Sequence, residues 1–192
     1  MRSRIQTAIF CFLVATNTLS DAEIMNDRRD QSRLKLTFTH PLYFIALGFG
    51  SGLSRYAPGT AGTLAAIPVF LLFEPLGLWV QLVIIVASFI GGVFVCDWVA
   101  NDMSIKDPGC IVWDEFVGVW ISLLLLPPGC WWILLAFLLF RFFDVLKPWP
   151  VSWLDRNLAG GLGIMADDVA AGIFALLSLQ ALHFAGVTLG LF

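Results

Sequence analysis

Apolar residues in this chain run in long stretches that no charge interrupts. Leu76–Cys96 is 21 residues without a charged side chain. A bilayer core of about 30 Å needs about 20 apolar residues in a helix, so this is the clearest membrane span. Val169–Phe192 is 24 residues long, broken only by Gln180 and His183, and predicts a second. Phe116–Phe140 is also free of charge, but Pro127, Pro128 and Gly129 fall in its middle. Paired prolines remove amide donors and clash with the preceding turn. Taken as a kink, this break leaves one bent span. Taken as a reversal, it makes Cys110–Leu126 and Cys130–Leu146 a helical hairpin, which suits Pro-Pro-Gly better. The same logic joins Ala57–Phe73 to Leu76–Cys96 through a Glu74-Pro75 turn. Two hairpins and a final span bring the polar segments 48–60, 97–115 and 141–168 to one face. The predicted fold is all-α, a multi-span helical membrane bundle with a polar site on its cytoplasmic face.

Charge sharpens this picture. Hydrophobic residues make up 59% of the 192 positions and charged ones 13%, against roughly 45–50% and 25% in an ordinary soluble domain. After position 40 there are five basic and ten acidic residues. A segment so poor in cations is a poor partner for nucleic acid, which is bound by clustered Lys and Arg. Arg28, Arg29, Arg33, Lys35, Arg55, Lys106, Arg141, Lys147 and Arg156 all fall on the face that gathers the polar segments, and the opposite turns carry only Glu74. The positive-inside tendency makes the polar face cytoplasmic. The four cysteines (Cys11, Cys96, Cys110, Cys130) are too scattered for a zinc site or a disulfide framework and read as small apolar fillers.

Residues 1–31 read as an N-terminal extension to a single domain, 32–192. Arg2 and Arg4 precede the apolar run Ile5–Ala15 and the small-residue patch Thr16–Ser20, as in a weak secretory signal. That run is short for a span, and exporting the Arg28–Lys35 cluster would oppose the orientation rule. A start placed upstream of the native one is the other reading.

Ionisable groups near a membrane interior are costly and are mostly retained for function or mutual pairing. Here they come in three dense groups: 106–115, 141–156 and 160–168. In the second, i, i+3 spacing places Arg141, Asp144 and Lys147 on one helix face. For this trio alone, a salt-bridge ladder and a substrate site are equally good readings. Trp149 and Trp153 suit a membrane interface. The acidic pairs Asp114-Glu115 and Asp167-Asp168 are harder to explain structurally, because adjacent carboxylates repel each other and the basic residues are too few to offset them. A hard divalent ion resolves the deficit, and Mg²⁺ prefers carboxylates together with substrate phosphate. His40 and His183 lie outside these groups and read as an interfacial and a core histidine.

Gly160, Gly161 and Gly163 precede a helix predicted to begin near Ile164, where free amides and the positive helix end can cradle an anion. No Rossmann strand and no P-loop Lys-Ser/Thr accompany them, so nucleotide binding is not supported. The stretch Gly48–Arg55, with Ser51 and Arg55, is either a flexible lead-in to the first span or a second phosphate-contacting loop. Carboxylates for Mg²⁺, cations and an anion cradle at a membrane face point to phosphoryl chemistry on a phospholipid headgroup.

Six blocks in order carry a specific resemblance: Gly-Phe-Gly-Ser-Gly-Leu-Ser (48–54), Ala-Pro-Gly-Thr (57–60), Ile-Val-Trp-Asp-Glu-Phe-Val-Gly (111–118), Phe-Arg-Phe-Phe-Asp (140–144), Lys-Pro-Trp-Pro (147–150) and Gly-Gly-Leu-Gly-Ile-Met-Ala-Asp-Asp (160–168). From about Leu34 onward the chain resembles the phosphatidylglycerophosphatase A family of bacterial Mg²⁺-dependent lipid phosphatases. The resemblance implies an all-helical enzyme of the inner membrane that converts phosphatidylglycerophosphate to phosphatidylglycerol.

On these grounds Asp114, Glu115, Asp144, Asp167 and Asp168 are the expected Mg²⁺ ligands. Asp114, Asp144, Asp168, Arg141 and Lys147 are the expected catalytic residues. Ser51, Arg55, Arg156, Gly160 and Gly161 are expected to bind substrate, a phospholipid drawn from the membrane. Water is the preferred nucleophile, and aspartate attack giving an acyl phosphate is the alternative. Other phosphatase signatures are missing. Leu154 stands where a histidine-based lipid phosphatase needs Arg-Pro after Lys147, Phe116 replaces the arginine of a cysteine phosphatase loop, and no Asp-x-Asp ends a strand. The remaining alternatives are phosphatidic acid as substrate, or a cation transporter, which the apolar span centres disfavour. The Asp-Gly-x-x-Ala-Arg signature of a CDP-alcohol transferase is absent.

Overall fold

A computed structural model describes residues 40–190. The predicted extension 1–31 and Cys11 lie outside that range. Among the described residues every regular element is helical. The order is α1 (Pro41–Ala46), a 3₁₀ segment (Gly48–Leu53), α2 (Pro58–Phe73), a 3₁₀ turn (Glu74–Leu76), α3 (Leu78–Met103), α4 (Trp113–Ser122), α5 (Cys130–Leu146), α6 (Val151–Asn157) and α7 (Gly160–Thr188). Three segments are long and apolar enough to cross a membrane: Pro58–Leu76, Leu78–Met103 and Gly160–Thr188.

The lipid-facing surface follows from sequence spacing. On α3 the exposed apolar residues Trp79, Val83, Val86, Ile90 and Phe94 recur every three or four positions and form one outward stripe. In water this stripe would be costly; against acyl chains it is neutral. The opposite case is α4, where Phe116 to Ser122 are all buried. It packs against α2, α3, α5 and α7. Its indoles tether both flanks: Trp120 Nε1 donates to the Ala66 carbonyl on α2 (2.9 Å), and Trp113 Nε1 to the Ser88 carbonyl on α3 (3.1 Å). So α2 and α3, joined by the Glu74–Leu76 turn, hold α4 between them.

α7 contacts α3, α4, α5 and α6. Its approach to α4 depends on the absence of side chains. A Cβ on Gly172 would run into the Gly118 carbonyl oxygen, and one on Gly118 would come within 2.8 Å of the Asp168 carbonyl oxygen. Between membrane helices, where apolar burial offers little drive, such small-residue contacts let backbones meet closely.

Element ends differ from expectation where tertiary contacts intervene. α3 continues past Cys96 to Met103, because Asp97 and Asn101 bond each other one turn apart (3.1 Å) and Asp97 also reaches α7. α4 starts at Trp113 and not Cys110, since the Val112 amide is drawn out of the helix to the Ala46 carbonyl (2.9 Å). It stops at Ser122, ahead of the prolines, and Leu125 takes a positive φ of 57°. α7 begins at Gly160, not near Ile164, so the glycines are its first turn. Cys96 and Cys110 are buried fillers, whereas Cys130 is exposed at the start of α5.

Candidate active site

The polar ends of the helices meet. Gly59 at the start of α2 lies so close to Glu115 Oε1 and Arg141 that a Cβ there would collide with the carboxylate. Lys147, just past α5, reaches Asp167 on α7, and Asp97 on α3 reaches the first turn of α7. The three polar segments that the hairpins were expected to gather are therefore together. Within them is a cavity with about 150 Å³ of space open to water. Its polar wall carries Lys106, Asp107, Asp114, Glu115, Asp144, Lys147, Asp155, Asp167 and Asp168, together with Gly160 and Gly163.

Asp114, Glu115 and Asp168 form its core: each offers a carboxylate oxygen, and these all lie within 4.8 Å of one another. Asp168 is 3% exposed. The first turn of α4 positions Asp114 and Glu115, and Asp114 Oδ1 accepts the Glu115 amide (3.1 Å), one of the first-turn donors that have no partner within the helix. Burial without partners makes the cluster chemically telling. Glu115 Oε2 and Asp167 Oδ1 are buried and accept no hydrogen bond among the described residues. Unpaired buried carboxylate oxygens are expensive. An oxygen-seeking divalent cation would use them, so the donor set fits a metal.

The cations are largely taken. Arg141 Nη1 bonds Asp144 and lies 3.9 Å from Glu115 Oε1. Lys147 Nζ donates to Asp155 and Asp167, both at 2.7 Å. Burial by itself would push the Lys147 ammonium down, but these two carboxylates outweigh it and hold its pKa above the ordinary lysine range. An ammonium has three donors, so one remains for a ligand.

The other expected residues are placed differently. Gly160 borders the cavity, but Gly161 does not: its amide donates to Asp97 Oδ1 (2.9 Å) and its Cα lies against the Val93 carbonyl. Ser51 Oγ donates to the Gly48 carbonyl (2.8 Å) and closes its own turn. Gly52 in that turn abuts the Cys110 carbonyl, so the 48–54 segment buttresses the chain leading into α4. Arg55 and Arg156 are exposed and outside the cavity wall. His40 stacks on Trp98 and His183 meets Trp132 edge-on, both half-buried and away from the cavity. Lys106, Asp107 and Asp155 border the cavity although sequence reasoning gave them no role. Only their membership of charged groups pointed to them.

A model of the family described as phosphatidylglycerophosphatase A matches residues 44–183, which takes in every cavity-lining residue. The chain belongs to the phosphatidylglycerophosphatase A family. It is 43% identical over 164 residues to phosphatidylglycerophosphatase A of Escherichia coli (strain K12), covering 85% of this chain and 94% of that one. With phosphatidylglycerophosphatase A of Haemophilus influenzae it shares 45% over 152 residues, 78% of this chain and 93% of the relative. A Bacteroides thetaiotaomicron protein provisionally named a phosphatidylinositol-3-phosphatase is 42% identical over 142 residues, 68% of this chain and 86% of its own length. No solved structure matches the chain. In this member of the phosphatidylglycerophosphatase A family, the motif blocks at 111–118, 140–144 and 160–168 are the ones that supply the acidic cavity.

Proposed function

We propose that the chain hydrolyses the terminal phosphomonoester of phosphatidylglycerophosphate, giving phosphatidylglycerol and inorganic phosphate. The similarity to the E. coli enzyme over 94% of its length carries this reading, and the carboxylate-lined cavity supplies suitable chemistry. Phosphoryl transfer needs positioning and charge neutralisation more than covalent participation. Asp114, Glu115 and Asp168 would hold Mg²⁺, with Asp144 and Asp167 beside them to complete or orient the shell. When bound, the ion offsets phosphate charge and polarises the P–O bonds. Arg141 keeps Asp144 and Glu115 aligned, and Lys147 fixes Asp167 while turning its third donor to the phosphate. Water adds to phosphorus, the bond to the glycerol oxygen breaks, and that oxygen leaves with a proton. Gly160 borders the path of the headgroup, whereas Ser51 and Gly161 serve by holding the 48–54 turn and the start of α7 in place.

The test is phosphate release by purified protein in mixed micelles. Phosphatidylglycerophosphate should be cleaved at least tenfold faster than phosphatidic acid. Activity should vanish with EDTA and return with Mg²⁺. No release from phosphatidylglycerophosphate, or full activity in EDTA, overturns the reading.

We further infer that the site faces the cytoplasm at a bacterial inner membrane. The positive-inside tendency supports this, since Arg55, Lys106, Arg141, Lys147 and Arg156 all lie toward the cavity end of the helices. Single cysteines at positions 102 and 156 should both be shielded from an impermeant thiol reagent in intact spheroplasts and labelled after lysis. Labelling of one of them in intact spheroplasts would refute the arrangement.

A further inference from the structure

The cavity has a shortage of available positive charge that one residue answers. Its wall carries seven carboxylates and two ammonium groups, Lys106 and Lys147. A phosphomonoester dianion entering this space needs cations whose charge is not already offset. Lys147 lies between Asp155 and Asp167. Arg141 is outside the wall, against Asp144 and Glu115. Lys106 differs from both: its side chain makes no ion pair and no hydrogen bond among the described residues, and it is exposed at the cavity rim.

Backbone geometry keeps it there. The α3–α4 loop that carries Lys106 is pinned at both ends. Ser104, at φ 53°, closes α3, and the Ile105 amide donates to the Ala100 carbonyl (3.1 Å). At the far end the Ile111 amide donates to the Pro108 carbonyl (2.8 Å) and the Val112 amide to Ala46 (2.9 Å). The same short loop runs into α4, whose first turn carries Asp114 and Glu115, and Lys106 lines the same cavity as these carboxylates and Asp168. A compact ammonium on a flexible stem suits a mobile phosphate that arrives through an open rim.

We propose that Lys106 is the cation that receives the phosphomonoester at the cavity mouth, a substrate-binding residue of the reaction. It rests on the phosphatase reading above. Compared with a lysine held by two carboxylates, Lys106 brings its full charge, and charge-assisted bonds of this kind are the strong ones.

Two readouts test it, with Lys106→Ala and Lys106→Arg in the full chain. The first is kcat/KM on phosphatidylglycerophosphate. The second, independent of turnover, is the rise in unfolding temperature that inorganic phosphate produces in the presence of Mg²⁺. Lys106→Ala should lower kcat/KM about 10- to 100-fold, as expected for losing a hydrogen bond to a charged group. The phosphate-induced rise should shrink with it, and Lys106→Arg should restore most of both. Values for Lys106→Ala within twofold of wild type overturn the proposal. So does a loss of activity that leaves phosphate stabilisation intact. If the wild-type chain does not cleave phosphatidylglycerophosphate, the substrate reading fails. A phosphate stabilisation that still depends on Lys106 would in that case uphold the lysine's role.

Discussion

Asp168→Asn is expected to remove phosphate release, by a factor on the order of 10³ or more, which corresponds to about 4 kcal/mol of transition-state stabilisation. The substitution keeps shape and volume while deleting one charge. Asp168 is 3% exposed and its carboxylate shares a space under 5 Å across with those of Asp114 and Glu115. In the folded protein without metal these anions repel, so losing one relieves repulsion instead of breaking a favourable pair. Thermal unfolding in detergent without Mg²⁺ should then be unchanged or shifted slightly upward. Mg²⁺ should stabilise the wild type more than the variant, because binding to the native state raises apparent stability by mass action. Wild-type turnover in Asp168→Asn would exclude this residue from the site. A large fall in unfolding temperature would show that its role is structural.

The second large effect is expected at a residue with no side chain. Gly172→Val should lower the unfolding temperature markedly, at a cost of about 3 kcal/mol or more, because the added carbons must occupy the position of the Gly118 carbonyl oxygen on α4. A flexible side chain could swing away, but a backbone carbonyl inside a helix cannot. Since Gly118 also lies against the Asp168 carbonyl, prying α4 from α7 moves Asp114 and Glu115 relative to Asp168. Activity measured below the unfolding transition should therefore fall as well, with Gly172→Ala showing a smaller change of the same sign. Wild-type stability and turnover in both variants would mean that the bundle can open at this point without consequence.

What the sequence made legible is the part written in local pattern. Charge-free stretches located the spans, and α5 runs from Cys130 to Leu146, the bounds that the Pro-Pro-Gly turn and Lys147-Pro148 set. The grouping of ionisable residues located the cavity, because charges kept near a membrane must be brought together to be tolerated. What stayed hidden depends on partners far away in sequence. Nothing near Lys147 announces that Asp155 and Asp167 will hold it. The glycines at 160 and 161 look like an open anion cradle until Asp97, 64 positions earlier, takes the Gly161 amide. Helix ends erred for the same reason: a hydrogen bond to Ala46 delays α4, and α7 begins at Gly160 and not near Ile164, with distant Asp97 accepting the amide of its second residue.

The surplus of carboxylates on the cavity wall also bears on the order in which ligands would bind. Seven acidic side chains face two lysines there, one of them already neutralised, so a lipid phosphate approaching the bare cavity meets a repulsive field. A divalent ion held by Asp114, Glu115 and Asp168 would offset two of those charges and place a local positive centre where a phosphate has to come. On the proposed reading, cation binding would then favour lipid capture, and the hold on the lipid phosphate would rise with the free concentration of that cation. An anionic headgroup would accordingly be held poorly until the cation is in place.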